Sequence, residues 1–313
     1  MKIASPTVAA VDIGSNTIKA LVAKRNEHGL LESVEQRTLD SRISDGISGS
    51  SMRLTDDAMA EGLEAVTELM AMISAHEPDR VGIVATSAVR EATNGDVFAK
   101  RIEDVAGHKL QVLDGEEEAR LIGRGLLCDP AMTKWDDFHV FDLGGGSLEL
   151  LTFRKRELKR AVSLPLGCVR LTEKFVDDRA APFSAQSGEA IRSHVRRQLI
   201  DTDIEFLEDK PLAAFTGGTM TTSRAILAAA KDVGFSKTSS RVTVELLGAI
   251  LKKLGSLPLE DRRVIPGLPA KRADVMPTAL ATVIALAEFA RLTEFQHSLY
   301  NLRWGLVDSM LTK

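Results

Sequence analysis

Val8-Ala9-Ala10-Val11-Asp12-Ile13-Gly14-Ser15-Asn16-Thr17-Ile18 opens the first half of the chain, and Phe138-His139-Val140-Phe141-Asp142-Leu143-Gly144-Gly145-Gly146-Ser147-Leu148 returns in the second. Each is an apolar run that ends around an Asp, breaks at a Gly-bearing turn and resumes as an apolar run. That is the grammar of strand, turn, strand. Setting Asp12 on Asp142 also sets Gly14 on Gly144, Thr17 on Ser147 and Ile18 on Leu148. Self-similarity at so long a period predicts a duplicated domain, one copy per half. Further strands are predicted at 31–39 behind the first hairpin and at 160–166 behind the second.

The glycines of these turns have a chemical use. A turn without Cβ atoms lets backbone N–H groups approach phosphate oxygens closely. The hydroxyls of Ser15, Thr17 and Ser147 add donors, and Asp12 and Asp142 stand at strand ends where a carboxylate can hold Mg2+. One such turn is ordinary; two related ones point to a shared phosphate site. A third glycine turn, Thr216-Gly217-Gly218-Thr219, follows an apolar strand and leads into a helix predicted over 220–231. It reads either as a plain connection or as an anion site at a helix N-terminus.

The chain has 313 residues, which suits two domains, and a formal net charge of -4, which does not suit a general nucleic-acid or membrane-surface binder. Cys128 and Cys168 lie far apart, so neither a disulfide framework nor a zinc site is indicated. The N-terminus shows no apolar secretory core, and the most apolar helix, 279–290, is short and contains Glu288. A cytoplasmic protein is expected. Alternating strands and helices predict an α/β fold.

Four ordered segments, Asp12–Asn16, Ala85–Asn94, Gly115–Ile122 and Asp142–Glu149, resemble the exopolyphosphatase/guanosine pentaphosphate phosphohydrolase (Ppx/GppA) family of the actin/Hsp70/sugar kinase superfamily. Thr216–Thr219 and Leu302–Leu306 match its pattern too, so the likeness covers nearly the whole chain. The resemblance implies two actin-like, ribonuclease H-like lobes, with mixed sheets flanked by helices around a central cleft. Lobe one is expected over 1–133, joined by a C-terminal helix at 301–313, and lobe two over 134–300. The chain reads as the short form, without the extra helical domains of long members.

The resemblance also implies Mg2+-dependent release of terminal phosphate from inorganic polyphosphate or guanosine pentaphosphate, and a homodimer. Glu118 takes the catalytic position. Asp142 and Glu149 hold the metal. Asp12, Gly14, Ser15, Asn16, Thr17 and Arg90, with Gly144, Gly145, Gly146, Ser147, Gly217, Gly218 and Thr219, contact substrate phosphates.

The residues themselves separate three glutamates in the helix that starts after Asp114. Glu117 is spaced from Asp114 as a capping pair, Glu116 is spaced from Arg120 as an exposed ion pair, and Glu118 shares the inward face of Leu121 and Ile122. An inward carboxylate serves either catalysis or an internal hydrogen bond. Glu149 alternates against Leu148 and Leu150, and reads as a solvated edge position unless the family role holds; Lys19 takes its place in the first copy. Further cations, at Arg42, Arg154-Lys155-Arg156, Lys271-Arg272 and Arg303, could meet a polyanion or simply face solvent, with Lys271-Arg272 expected to begin a long amphipathic helix, 273–291. Residues 44–51, rich in Gly and Ser, are expected to form a loop that gates the cleft. A kinase and a non-catalytic alarmone or nucleotide sensor are the competing readings.

Overall fold

Asp12 and Lys19 face each other across the first hairpin, and Asp142 and Glu149 face each other across the second. A computed structural model describes residues 5–44, 52–202, 204, 206 and 212–312; all but the first residue of the expected loop at 44–51 lies outside the described residues. The chain divides into two compact units, Met1–Thr133 with Tyr300–Lys313, and Lys134–Leu299.

The first unit runs β1 (Val8–Ile13), β2 (Thr17–Arg25), β3 (Leu31–Asp40), α1 (Asp56–Ser74), β4 (Arg80–Ala85), α2 (Ser87–Glu91), α3 (Gly95–Ala106), β5 (Leu110–Val112) and α4 (Gly115–Leu127). The second runs β6 (Phe138–Leu143), β7 (Leu148–Arg154), β8 (Glu157–Leu164), α5 (Cys168–Phe175), α6 (Ala185–Ile200), β9 (Leu212–Thr216), α7 (Gly218–Ala230), β10 (Arg241–Thr243), α8 (Val244–Gly255), α9 (Leu259–Arg263), α10 (Met276–Phe289) and β11 (Glu294–His297). The chain then returns to the first unit as α11 (Leu302–Thr312).

The two sheets repeat one plan. In the first the order is β3-β2-β1-β4-β5, with the hairpin strands antiparallel and β4 and β5 parallel to β1. In the second, β8-β7-β6-β9-β11 has the same order and the same directions, and β10 adds an antiparallel edge. Parallel β1–β4 and β6–β9 pairs require crossovers, and the helical segments between those strands provide them.

Strand alternation sorts each sheet into two faces. Ile13 with Ile18 and Val11 with Ala20 pair on the face that packs under α1 and α3. Leu143 with Leu148 and Phe141 with Leu150 do the same in the second unit, beneath a core filled by α10. The opposite face of the first sheet is covered by α11. Its seat is a backbone crossing with α4, because a Cβ on Gly125 would run into the carbonyl of Asn301, and one on Gly305 into that of Leu121.

Helix α10 departs from expectation. It begins at Met276, so Lys271-Arg272 sit in a separate 3-10 turn, Ala270–Arg272. Pro277 fixes that start, because a proline is tolerated in the first turn of a helix and disrupts its interior. The helix is buried nearly all round rather than amphipathic, since α5, α6, α7 and α8 all pack on it. Among the described residues, no helix is long and apolar enough to cross a membrane.

Two buried histidines tie stability to pH. His139 on β6 meets Thr152 Oγ1 at 3.1 Å, and burial, with Arg154 nearby, lowers its pKa to about 4. Burial, helped by Arg224, lowers that of His297 to about 3. The folded chain therefore keeps both rings neutral, while the unfolded chain protonates them below its ordinary value of 6.5. Acidification pulls toward the unfolded state from about pH 6.5 down to the folded values, and above pH 6.5 the effect vanishes. Urea titrations at pH 7 and pH 5 should show a loss of about 2 kcal/mol per histidine, and His139→Gln should remove roughly half of that shared loss.

Candidate functional site

The first-strand turns are closed identically. Gly14 N donates to Thr17 O at 3.1 Å, and Gly144 N donates to Ser147 O at 3.0 Å. What surrounds each turn decides where its remaining amides point. In the second unit the segment after β8 takes up the turn's carbonyls. Cys168 N donates to Gly144 O (3.0 Å), Val169 N to Gly145 O (2.9 Å), and Gly167 N to Gly146 O (3.2 Å), with Arg170 Nε adding a 2.8 Å bond to the last. The backbone donors of Gly167, Cys168 and Val169 are the otherwise unpaired amides at the N-terminus of α5. A trans peptide carries its C=O and the following N–H in opposite directions. With three successive carbonyls turned to α5, the amides of Gly145, Gly146 and Ser147 are turned away from it together, a nest of backbone donors with the capacity to receive an anion.

The first unit repeats this with a loop instead of a helix. After β3, Ser44 N donates to Ser15 O (3.1 Å), while Ser41 N and Arg42 N donate to Asn16 O (3.3 and 3.1 Å). The amides of Asn16 and Thr17 are thereby turned the other way. The Asn16 amide nitrogen Nδ2 is buried without a hydrogen-bond partner, a donor available to an acceptor such as phosphate.

The first turn is joined to Arg90 and Glu118 through α2. Ser15 Oγ lies 3.0 Å from Ser87 Oγ, and Thr86 N donates to Ile13 O. From α2, Arg90 Nη1 donates to Leu113 O at 2.7 Å and to Glu118 Oε2 at 3.0 Å. Glu118 is only 6% exposed, whereas its neighbours do other work. Asp114 and Glu117 form the reciprocal capping box, and Glu116 pairs with Arg120 at 2.6 Å on the surface. The spacing of the three glutamates had separated them in the same way.

A single row of side chains crosses each sheet at the level of the Asp. In the second unit, Ser163, Glu149, Asp142 and Thr216 are paired in register across β8-β7-β6-β9. Glu149 is 2% exposed on a central strand, not the solvated edge position that alternation alone allowed, and its Oε1 accepts from Ser163 Oγ at 2.8 Å. In the first unit the row is Thr38, Lys19, Asp12 and Val84. Lys19 Nζ lies 3.9 Å from Asp12 Oδ2, and the buried Arg303 guanidinium, whose Nη1 donates to Ala20 O, also feels the Asp12 charge. One row joins two carboxylates; the other joins a carboxylate to cations. Arg303 is thus spent inside the first unit.

The third turn adjoins Asp142. Gly217 has φ 94°, and a Cβ there would press on Asp142 Oδ1. A Cβ on Gly218 would fall inside the Arg272 guanidinium. Gly217 is favoured by its backbone conformation, and at Gly218 the absence of a side chain is what lets the Arg272 guanidinium lie against the turn. The hydroxyls of Thr216 and Thr219 and the Nε of Arg272 are buried there without partners. Three buried donors without partners around a helix N-terminus are chemically able to meet an anion. Spacing alone left Arg272 undecided and missed Gly167 and Arg170; the visible signal was Gly167 just past the third strand of the hairpin repeat. The cations at 154–160 stand on a hairpin turn, where Arg154 pairs with Asp137 and Lys159 with Glu157.

Comparisons with known proteins identify the family and the fold. The model of the Ppx/GppA phosphatase family matches residues 21–313, and the chain belongs to that family. A guanosine-5'-triphosphate,3'-diphosphate pyrophosphatase of Aeromonas salmonicida is 29% identical over 308 residues, 98% of this chain and 60% of that protein. The same-named protein of Photobacterium profundum is 27% identical, with 99% and 60% covered. The chain thus spans about 60% of the length of these relatives. Among solved structures, the Aquifex aeolicus Ppx/GppA enzyme superposes with a TM-score of 0.78 at 23% identity, covering 98% of this chain and 99% of that one. An exopolyphosphatase from Cytophaga hutchinsonii gives 0.85 at 22%, with 98% of each chain covered. The fold is accordingly a pair of actin-like domains, each a mixed sheet flanked by helices.

The packing of Gly167 against the Gly145–Gly146 backbone is testable. Gly167→Ala should cost about 1–3 kcal/mol in urea unfolding, because the added methyl displaces backbone. Gly248→Ala, inside α8 with nothing within 4 Å of the new methyl, should instead gain about 0.5–1 kcal/mol.

Proposed function

We propose that this chain is a Mg2+-dependent exopolyphosphatase, which releases the terminal phosphate of inorganic polyphosphate by attack of water. The observation that carries the reading is the nest of three consecutive amides at Gly145, Gly146 and Ser147, aimed by the carbonyl bonds to α5. Successive backbone amides suit the oxygens of an anion such as phosphate and call for no base or sugar, so a chain of phosphates alone supplies what this nest can bind. Within the same unit the Thr216 and Thr219 hydroxyls and Arg272 offer side-chain donors, and the first unit has backbone donors of its own at Asn16 and Thr17.

The donor set fits Mg2+. Asp142 and Glu149 offer two hard oxygen ligands on one face of the sheet, in register, with the orphaned Thr216 hydroxyl in the same row. Mg2+ characteristically takes one or two carboxylates and fills its remaining positions with water and substrate phosphates. No group of three or more His, Cys, Asp or Glu able to hold a metal occurs among the described residues. When bound, the ion supplies neutralisation of phosphate charge. Ser163, by bonding Glu149 Oε1, fixes that carboxylate's orientation.

Glu118 has the part of water orienter. Arg90 grips one of its oxygens at 3.0 Å and is itself anchored on Leu113 O, so the carboxylate is held rather than free to swing. A carboxylate so held accepts a hydrogen bond from water and aligns a lone pair toward phosphorus. In phosphoryl transfer, where the transition state is loose, alignment counts for more than full deprotonation. Arg90 retains further N–H donors that can reach a phosphate oxygen.

A second reading, hydrolysis of guanosine pentaphosphate, is favoured by the names of the 29% identical relatives. It uses the same donors, since both substrates end in a phosphoanhydride. Phosphate release from polyphosphate, guanosine pentaphosphate and ATP, each with and without Mg2+, separates the readings. Release from polyphosphate only with Mg2+ is expected; release only from guanosine pentaphosphate selects the second reading, and release from none, with binding intact, makes the protein a sensor. Glu118→Gln should lower kcat by about 100-fold or more with KM within about threefold. Glu117→Gln should leave kcat within about twofold and cost roughly 1 kcal/mol of stability as the cap is weakened.

A further inference from the structure

Beside the third turn lies a buried polar cluster that the proposed chemistry does not use. Arg224 of α7 and His297 of β11 are both nearly inaccessible, and Arg224 Nη1 lies 2.9 Å from His297 Nδ1. A guanidinium only donates, so Nδ1 carries the lone pair and the proton of the neutral ring sits on Nε2. Nε2 lies 3.3 Å from Thr221 Oγ1, and with Nε2 as donor that hydroxyl is left to donate in turn. It does so to Gly217 O at 3.1 Å, where the amide of the same residue, Thr221 N, reaches only to 3.4 Å. The direction of every bond follows from the arginine. The chain of donors runs from Arg224 through His297 and Thr221 to one main-chain oxygen of the diglycine turn.

We propose that Arg224, His297 and Thr221 form a fixed relay that sets the Gly217–Gly218 peptide, with its carbonyl drawn into α7 and the Gly218 amide turned outward for a substrate phosphate. The last clause rests on the phosphate reading above. Arg224 is itself immobilised, for its Nε donates to Thr238 Oγ1 (3.2 Å), its Nη2 to Thr238 O (2.9 Å), and its guanidinium stacks 4.4 Å from the centre of the Phe235 ring. The ring of His297 is kept neutral by burial and by the neighbouring cation, so the direction of the relay does not invert with protonation. The β11–β9 register brings His297 opposite Phe215, one residue before the turn begins, and Ser298 N locks that edge on Phe215 O at 3.0 Å. Burying a cation and an imidazole where apolar side chains would fit is costly, and what such a network provides is a single orientation. Here the orientation provided is that of a peptide with glycine on both sides, which has few preferences of its own.

Thr221→Val removes the hydroxyl and keeps the shape; Thr221→Ser keeps the hydroxyl. In the labelled full chain, the His297 imidazole should be the Nε2–H form, and Thr221→Val should move the Gly218 amide resonance while Thr221→Ser restores it. Calorimetry with tripolyphosphate should show binding weakened about five- to tenfold by Thr221→Val, the worth of one hydrogen bond, and recovery to within about twofold in Thr221→Ser. KM should rise by the same factor with kcat nearly unchanged. An Nδ1–H imidazole, an unmoved Gly218 amide in the valine variant, or equal losses in both variants overturns the relay. If the unmodified protein binds no tripolyphosphate while the two resonance results hold, the relay stands and the phosphate reading of the turn falls.

Discussion

Everything at the first and second turns depends on where a few carbonyl groups are sent. A glycine turn is a flexible piece of backbone whose amides and carbonyls could face either side. Here the segment behind the third hairpin strand captures the carbonyls, with the α5 N-terminus in one unit and the loop at 41–44 in the other. Orientation of the turn's remaining amides is a by-product of that capture. The unpaired amides of α5 are also satisfied by it, so one set of contacts settles two accounting problems. The positive end of the α5 dipole lies behind the Gly144–Gly146 turn and reinforces its attraction for anions.

The duplicated sheets keep their topology and change their charges. At the level of the Asp, the first unit places Lys19 opposite Asp12, and the second places Glu149 opposite Asp142. Equivalent positions thus carry a carboxylate beside a lysine in one unit and a carboxylate beside a carboxylate in the other. The first unit brings Arg90 and Glu118 together instead, through an ion pair that has no counterpart in the repeated hairpin motif. Symmetry of fold and asymmetry of chemistry coexist because the row is set by strand register, while the side chains on it are free to differ.

Much of this could be read along the chain. The Asp-Gly turns, repeated between halves, announced the two sheets because strand–turn–strand grammar is local. The three glutamates of α4 were separable because capping, ion pairing and inward facing have distinct spacings on a helix. The contacts of Gly167 and Arg170 with the Gly144–Gly146 turn were not legible, since they join residues some twenty positions apart and become visible only when β8 has brought them back. Arg272 was placed in a helix that starts after it, although Pro277 held the information that α10 begins at Met276. The Arg224–His297 pair carries no local signature at all, because two strands and a helix converge to make it.

The crossing of α11 with α4 at Gly125 and Gly305 has a consequence for the order in which the molecule is made. The first unit cannot cover the outer face of its sheet until residues 302–312 exist, yet these are synthesised after the whole of the second unit. On the ribosome the second unit can therefore complete its core while the first waits with the Ala10–Leu21 face of its hairpin uncovered. Closure can thus run opposite to the numbering, because the half translated first needs the last helix to cover its sheet.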